Sequence, residues 1–170
     1  MFTNRAAQGI PELERALAID RNLAAAHAYI GLAKNFVGRG EETARHIEDA
    51  LRLSPRDTAV YFWHHFAGTV KVFLGKDEEA VAQLRQAIEA NRNFAAVHFY
   101  LAVALAELGR LDEARLEAKE GLSIDPTFTI RRYRADAPSD NPIFLNRRQQ
   151  IYEIMRKVGV PEGKAQPGNN

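Results

Sequence analysis

The chain of 170 residues is long enough for one compact domain or a short solenoid, and its hydrophobic fraction of 46% is that of a folded chain. It has no cysteine, which excludes disulfides, thiolate metal sites and a cysteine nucleophile. The net charge of +1 conceals an asymmetry, because residues 1–128 carry 15 Lys/Arg against 18 Asp/Glu while residues 129–170 carry 8 against 4, and a body near −3 argues against a nucleic-acid module.

Residues 10–20, IPELERALAID, have the spacing of one amphipathic helix, with Pro11 in its first turn and a stop at Arg21. No partner helix precedes it. Residues 1–22 are therefore expected to be the second half of an incomplete hairpin, with Ile10, Leu13 and Leu17 uncovered upstream. That leaves two expectations: a longer protein of which this is the C-terminal portion, or a first repeat completed by another chain.

Three similar segments follow, at residues 23–56, 57–93 and 94–127. Each reads as an apolar helix, a glycine turn (Gly38, Gly75, Gly109), a Glu-rich start to a second helix, and a stop. The stops at Arg21, Pro55, Arg92 and Pro126 are 34, 37 and 34 residues apart, yet the step from each turn glycine to its stop is 17 every time. All the irregularity lies between Pro55 and Gly75, and the expectation is one first helix longer by three residues.

After Pro126, a short helix around residues 127–135 should dock on the last repeat before the stretch APSDNP breaks it. Asp140 or Asn141 can cap a further helix with Pro142 in its first turn, and Phe144, Leu145, Ile151, Tyr152, Met155 and Val158 give that helix an apolar stripe ending near Gly159. Residues 128–159 thus read as capping helices over the last open face of a solenoid. Residues 160–170 read as a flexible tail. No apolar run approaches the ~18 residues of a spanning helix, and MFTNRAAQ lacks the layout of a signal peptide, so the expectation is a cytoplasmic protein with no membrane and no nucleic-acid partner.

A helix–turn–helix period of 34 residues resembles the tetratricopeptide repeat (TPR) family. The family's Leu-Gly pair is matched by Ile30-Gly31, Ala67-Gly68 and Leu101-Ala102, its small residue in the second helix by Thr43, Ala80 and Ala114, and its small residue before the stop by Ala16, Ala50, Ala87 and Gly121. His27, His64 and His98 occupy the family's Trp slot. The resemblance implies an all-α fold: a right-handed superhelix of TPR helical hairpins with C-terminal capping helices. With its C-terminal stretch the chain also looks like the TPR-bearing tails of bacterial class III adenylate/guanylate cyclases and of winged-helix regulators, which implies a regulatory segment of a signalling protein and not an enzyme.

The three equivalent histidines are a whole repeat apart, on the order of 10 Å, too far to share one ion with bonds near 2.0 Å, so no metal and no cofactor is expected. Acidic runs such as Asp77-Glu78-Glu79 sit at helix starts, where they complement the dipole, and are not read as a catalytic pair. The remaining candidate is the concave face, which in TPR proteins is lined by the first helix of each hairpin. Helical spacing assigns to it Leu32, Asn35, Phe36, Phe62, His65, Thr69, Phe73, Phe99 and Val103. Such an apolar groove either takes a partner's peptide or helix, or is filled by a helix of this chain or of a second copy. The function that follows is a protein-interaction scaffold, with homo-oligomerisation through the incomplete first repeat as the alternative.

Overall fold

In the computed structural model, which describes residues 5–56 and 58–164, the elements are α1 (Arg5–Ile19), α2 (Ala24–Phe36), a 3-10 turn (Gly40–Glu42), α3 (Thr43–Leu53), α4 (Val60–Phe73), α5 (Asp77–Ala90), α6 (Ala95–Glu107), α7 (Leu111–Ile124), α8 (Ile130–Ala135) and α9 (Pro142–Lys157). There is no strand among the described residues. Three hairpins, α2–α3, α4–α5 and α6–α7, stack in chain order as a helical-hairpin superhelix. Their turns fall where expected, at Gly38, Gly75 and Gly109 with φ of 78°, 68° and 76°, a region that costs a residue with a Cβ but not glycine. The hairpins close tightly: a Cβ on Gly68 would stand 2.4 Å from Leu84.

The three extra residues of the middle repeat do not lengthen a helix by three, as the spacing suggests. Helix α4 has 14 residues against 13 in α2 and α6, so it absorbs one; the other two extend the α3–α4 connection, residues 54–59, beyond the four-residue connections 20–23 and 91–94. A crevice of about 90 Å³, lined by Ile47, Leu51, Ala67, Val70 and Leu74, lies between α3 and the α4–α5 hairpin. The smaller of two hydrophobic clusters crosses this seam, joining Ala28 of α2 and Ile47 of α3 to Trp63 and Ala67 of α4, and the larger one lies beyond it around Leu84, Leu101, Ile151 and Met155.

Helix α1 packs on α2, so that Ile10 is buried and Leu13 and Leu17 are half-buried. The apolar face expected to be uncovered is thus largely closed from downstream, while Ile19 is 90% exposed. At the other end, Asn141 caps α9 by accepting from Ile143 N and Phe144 N. The stripe of α9 is buried at Phe144, Ile151, Tyr152, Met155 and Val158, but Leu145 points away from it and is exposed. The tail expected from residue 160 is docked at its start: Val160 is buried, and the Pro161 and Glu162 carbonyls accept from Ile130 N and Arg131 N at the head of α8. Residues 165–170 of that expectation lie outside the described residues.

Candidate partner-binding groove

The concave face is built from α2, α4 and α6, and α9 lies across it. Phe144 of α9 stacks on Phe73 (ring centroids 4.8 Å, interplanar angle 6°) and meets Phe36 edge-on at 5.4 Å. Polar groups fix the same crossing. Asn141 Nδ2 donates to Val37 O at 3.0 Å, Arg147 Nε and Nη2 donate to Val72 O at 3.1 and 2.8 Å, and Arg147 Nη1 meets Glu107 Oε1 at 3.0 Å. These partners stand at the C-terminal ends of α2, α4 and α6, where helical carbonyls lack intrahelical donors and the dipole favours a cation. The groove is therefore filled along its hairpin-turn side by a helix of the same chain, one of the two occupancies expected from its apolar lining.

Further along α9, Arg148 is buried and makes no ion pair among the described residues. Its guanidinium lies 3.8 Å from the centre of the Tyr133 ring, donates to Tyr152 Oη at 2.5 Å, and also donates to the Tyr133 carbonyl. Aromatic faces and a carbonyl hold this cation in place of a carboxylate. Tyr133 Oη meets Tyr100 Oη of α6 at 2.6 Å, and burial raises the pKa of both phenols.

The residues assigned to the groove from the sequence separate into three groups. Phe36 and Phe73 are under α9, with Asn35 buried beside Gly40. Phe62 and His65 are in an aromatic cluster with Phe66, Phe94 and Tyr100, the His65 ring 5.0 Å from Phe94 and 5.6 Å from Tyr100; Leu32 and Thr69 line the same repeats, Thr69 being buried. Phe99 and Val103 belong to neither, since both are in the core at 1% and 0% exposure. Phe99 turns into its own hairpin, stacked on Phe128 at 3.9 Å, and a Cβ on Gly121 would come within 2.9 Å of its ring. Gly121 thus trades helix propensity for room for an aromatic ring, and Phe99 is corrected from groove wall to core.

Spacing alone also did not reveal what the three histidines do. Each uses Nδ1 to reach the residue 19 positions on, in the second helix of its hairpin: His27 to His46 at 3.4 Å, His64 to Gln83 at 2.9 Å, His98 to Glu117 at 2.7 Å. His27 and His98 also use Nε2, on the carbonyls of Arg21 and Arg92 six residues back. All three join first helix to second, and His27 and His98 also tie in the preceding stop, using two ring nitrogens where an indole has a single N–H donor. Burial tends to lower the pKa of His98, but Glu117 and the Arg92 carbonyl outweigh it and raise the value above that of free histidine.

Residues 67–127 match the family described as Tetratricopeptide repeat. No curated protein matches the chain. Among solved structures, MamA 41-end from Desulfovibrio magneticus RS-1 is similar at 16% identity and a TM-score of 0.65, covering 90% of this chain and 87% of that one. YrrB, described as a TPR protein with an unusual peptide-binding site, is similar at 22% identity and a TM-score of 0.60 over 91% of this chain and 82% of its own. The first TPR domain of human RPAP3 is similar at 15% identity and a TM-score of 0.57 over 80% and 94%. At these identities the likeness shows the fold, and with the hairpins, the turn glycines and the family match over residues 67–127 it makes this chain an all-helical protein of tetratricopeptide-repeat architecture.

Proposed function

We propose that the protein is an interaction scaffold that holds a peptide or helix of a partner protein on the part of its concave face that α9 leaves uncovered. The observation that supports this reading is the seating of α9 itself, an amphipathic helix laid on this face through aromatic contacts and hydrogen bonds to helix ends. Beyond Phe36 and Phe73 the aromatic strip continues with Phe62 and Phe94, both partly exposed, and with Tyr29, half-exposed against Trp63 and Phe66. The peptide-binding description of YrrB supports the same use of the fold. In a longer signalling protein, as the likeness to cyclase and winged-helix regulator tails implies, such a scaffold would recruit a partner to a regulatory segment.

Self-association is the second reading, favoured by the exposed apolar edge of α1 and its connection, where Ile19 and Leu23 are 90% and 40% exposed. One experiment separates the two. The Tyr29→Ser, Phe62→Ser double variant should keep its helical circular dichroism and lose partner affinity by roughly 2 kcal/mol or more, as truncated aromatic anchors do. Retained affinity in a folded variant would move the partner site off this strip. Light scattering over a concentration series, repeated on Ile19→Ser, reads the alternative directly: a dimer dissolved by that substitution would favour self-association.

A further inference from the structure

The first repeat differs from the other two in what its histidine meets. His64 and His98 face an amide and a carboxylate, whereas His27 faces a second imidazole, His46, with the two Nδ1 atoms 3.4 Å apart and the ring centroids 5.6 Å apart. The nitrogens therefore lie close to the line between the rings and face each other nearly head-on across the hairpin. His27 Nε2 is engaged by the Arg21 carbonyl at 3.1 Å, which assigns the ring proton to Nε2 and leaves Nδ1 bare. Orientation of a ligating imidazole by a carbonyl on its other nitrogen is the usual support of a metal-bound histidine.

We propose that His27 and His46 form a two-imidazole site for Zn²⁺. The separation selects the ion. Two nitrogens 3.4 Å apart and each 2.0–2.1 Å from a metal subtend about 110° at it, which is the tetrahedral angle zinc adopts and well above the ~90° of square-planar or octahedral sites. Among the described residues no group of three or more His, Asp or Glu side chains is gathered to hold a metal ion, so the remaining positions fall to water. Asp49, whose Oδ2 is 3.9 Å from His27 Nδ1 while Oδ1 accepts from Arg52, adds negative charge beside the site, and Lys34 opposes it. Both rings are only partly buried, which leaves water access. On binding, His46 places its proton on Nε2 and both Nδ1 lone pairs turn to the metal. The rings stay on the first helix and the second helix of one hairpin, so the ion would clamp α2 to α3.

The second repeat supplies the control. His46→Gln reproduces the His64–Gln83 pairing and so keeps a hydrogen bond across the hairpin while removing one ligand. Tag-free protein at pH 7.5 is titrated with Zn²⁺ by calorimetry and melted with and without it, with Mg²⁺ as the hard-ion control. The expected result is about one Zn²⁺ bound per chain, a rise in melting temperature with Zn²⁺ alone, and loss of both in His46→Gln at unchanged helical content. Absence of binding to the wild type, or a Zn²⁺ response that survives in His46→Gln, would overturn the site and leave His27–His46 a hydrogen bond only.

Discussion

His65 sits buried among Phe66, Phe94 and Tyr100, and its Nδ1 has no hydrogen-bond partner among the described residues. Burial lowers its pKa from 6.5 to about 4. A group depressed in the folded state binds its proton in the unfolded chain first, so the stability it contributes is present above pH 6.5 and is lost as pH falls from there toward 4. By pH 5 the loss is about 2 kcal/mol. His98 works in the opposite sense: its raised pKa adds stability below 6.5 that is lost as pH rises through its folded value. Comparing variants cancels the other groups. Urea unfolding at pH 7.5 and 5 should show the wild type losing about 2 kcal/mol more than His65→Leu; parallel losses would mean that His65 is hydrated or partnered in solution.

At the scale of elements, α9 is held on the hairpin stack by directed contacts as well as apolar ones. Arg147 supplies two N–H groups to the Val72 carbonyl and a third to Glu107, with its side chain 18% exposed. Arg147→Ala removes two charge-assisted bonds, leaves that carbonyl with the 3.2 Å bond from Gly75 N alone, and should cost about 1–3 kcal/mol in chemical denaturation, of which the half-open Glu107 pair contributes the smaller part. A cost under about 0.5 kcal/mol would mark the crossing as apolar docking alone. These elements were largely legible beforehand: turn glycines, the constant 17-residue step and a start at Asp140 or Asn141 with Pro142 pointed to three hairpins and to α9, and the structure puts the cap on Asn141. The rotation of α6 was not legible. Its sequence, AAVHFYLAVALAE, is apolar on every side, so no stripe distinguishes the face carrying Phe99, which turns inward, from the one carrying Tyr100, which meets Tyr133. Nor did the period show that α9 would cross the groove, because the polar fasteners Asn141 and Arg147 act on carbonyls 104 and 75 residues away. Likewise His46 carries no repeat signature, and only the fold brings it to His27.

For the whole molecule, stability should be uneven along the stack. The larger hydrophobic cluster joins α4 through α9, while the smaller one is drawn from α2, α3 and the first turns of α4, beside a crevice of about 90 Å³ between α3 and the α4–α5 hairpin. Local opening follows the density of buried contacts. Amide hydrogen exchange should therefore be slowest in α6 and α9 and measurably faster in α3, and filling the crevice with Ala44→Leu should slow exchange in α3 toward that of α5. Uniform protection throughout would show that the seam is no weaker than the other junctions. The prediction belongs to this scale because it compares one cluster with the other.

The order of synthesis gives the α9 crossing a further meaning. A ribosome releases α2 to α7 before α9, and domains fold as their N-terminal parts emerge. During that interval the hairpins stand with Phe36 and Phe73 bare and with the Val37 and Val72 carbonyls unserved by Asn141 and Arg147. The nascent stack thus presents, until α9 arrives, the apolar and polar groups that α9 later covers, and the last-made helix reaches them at the high effective concentration its tether confers.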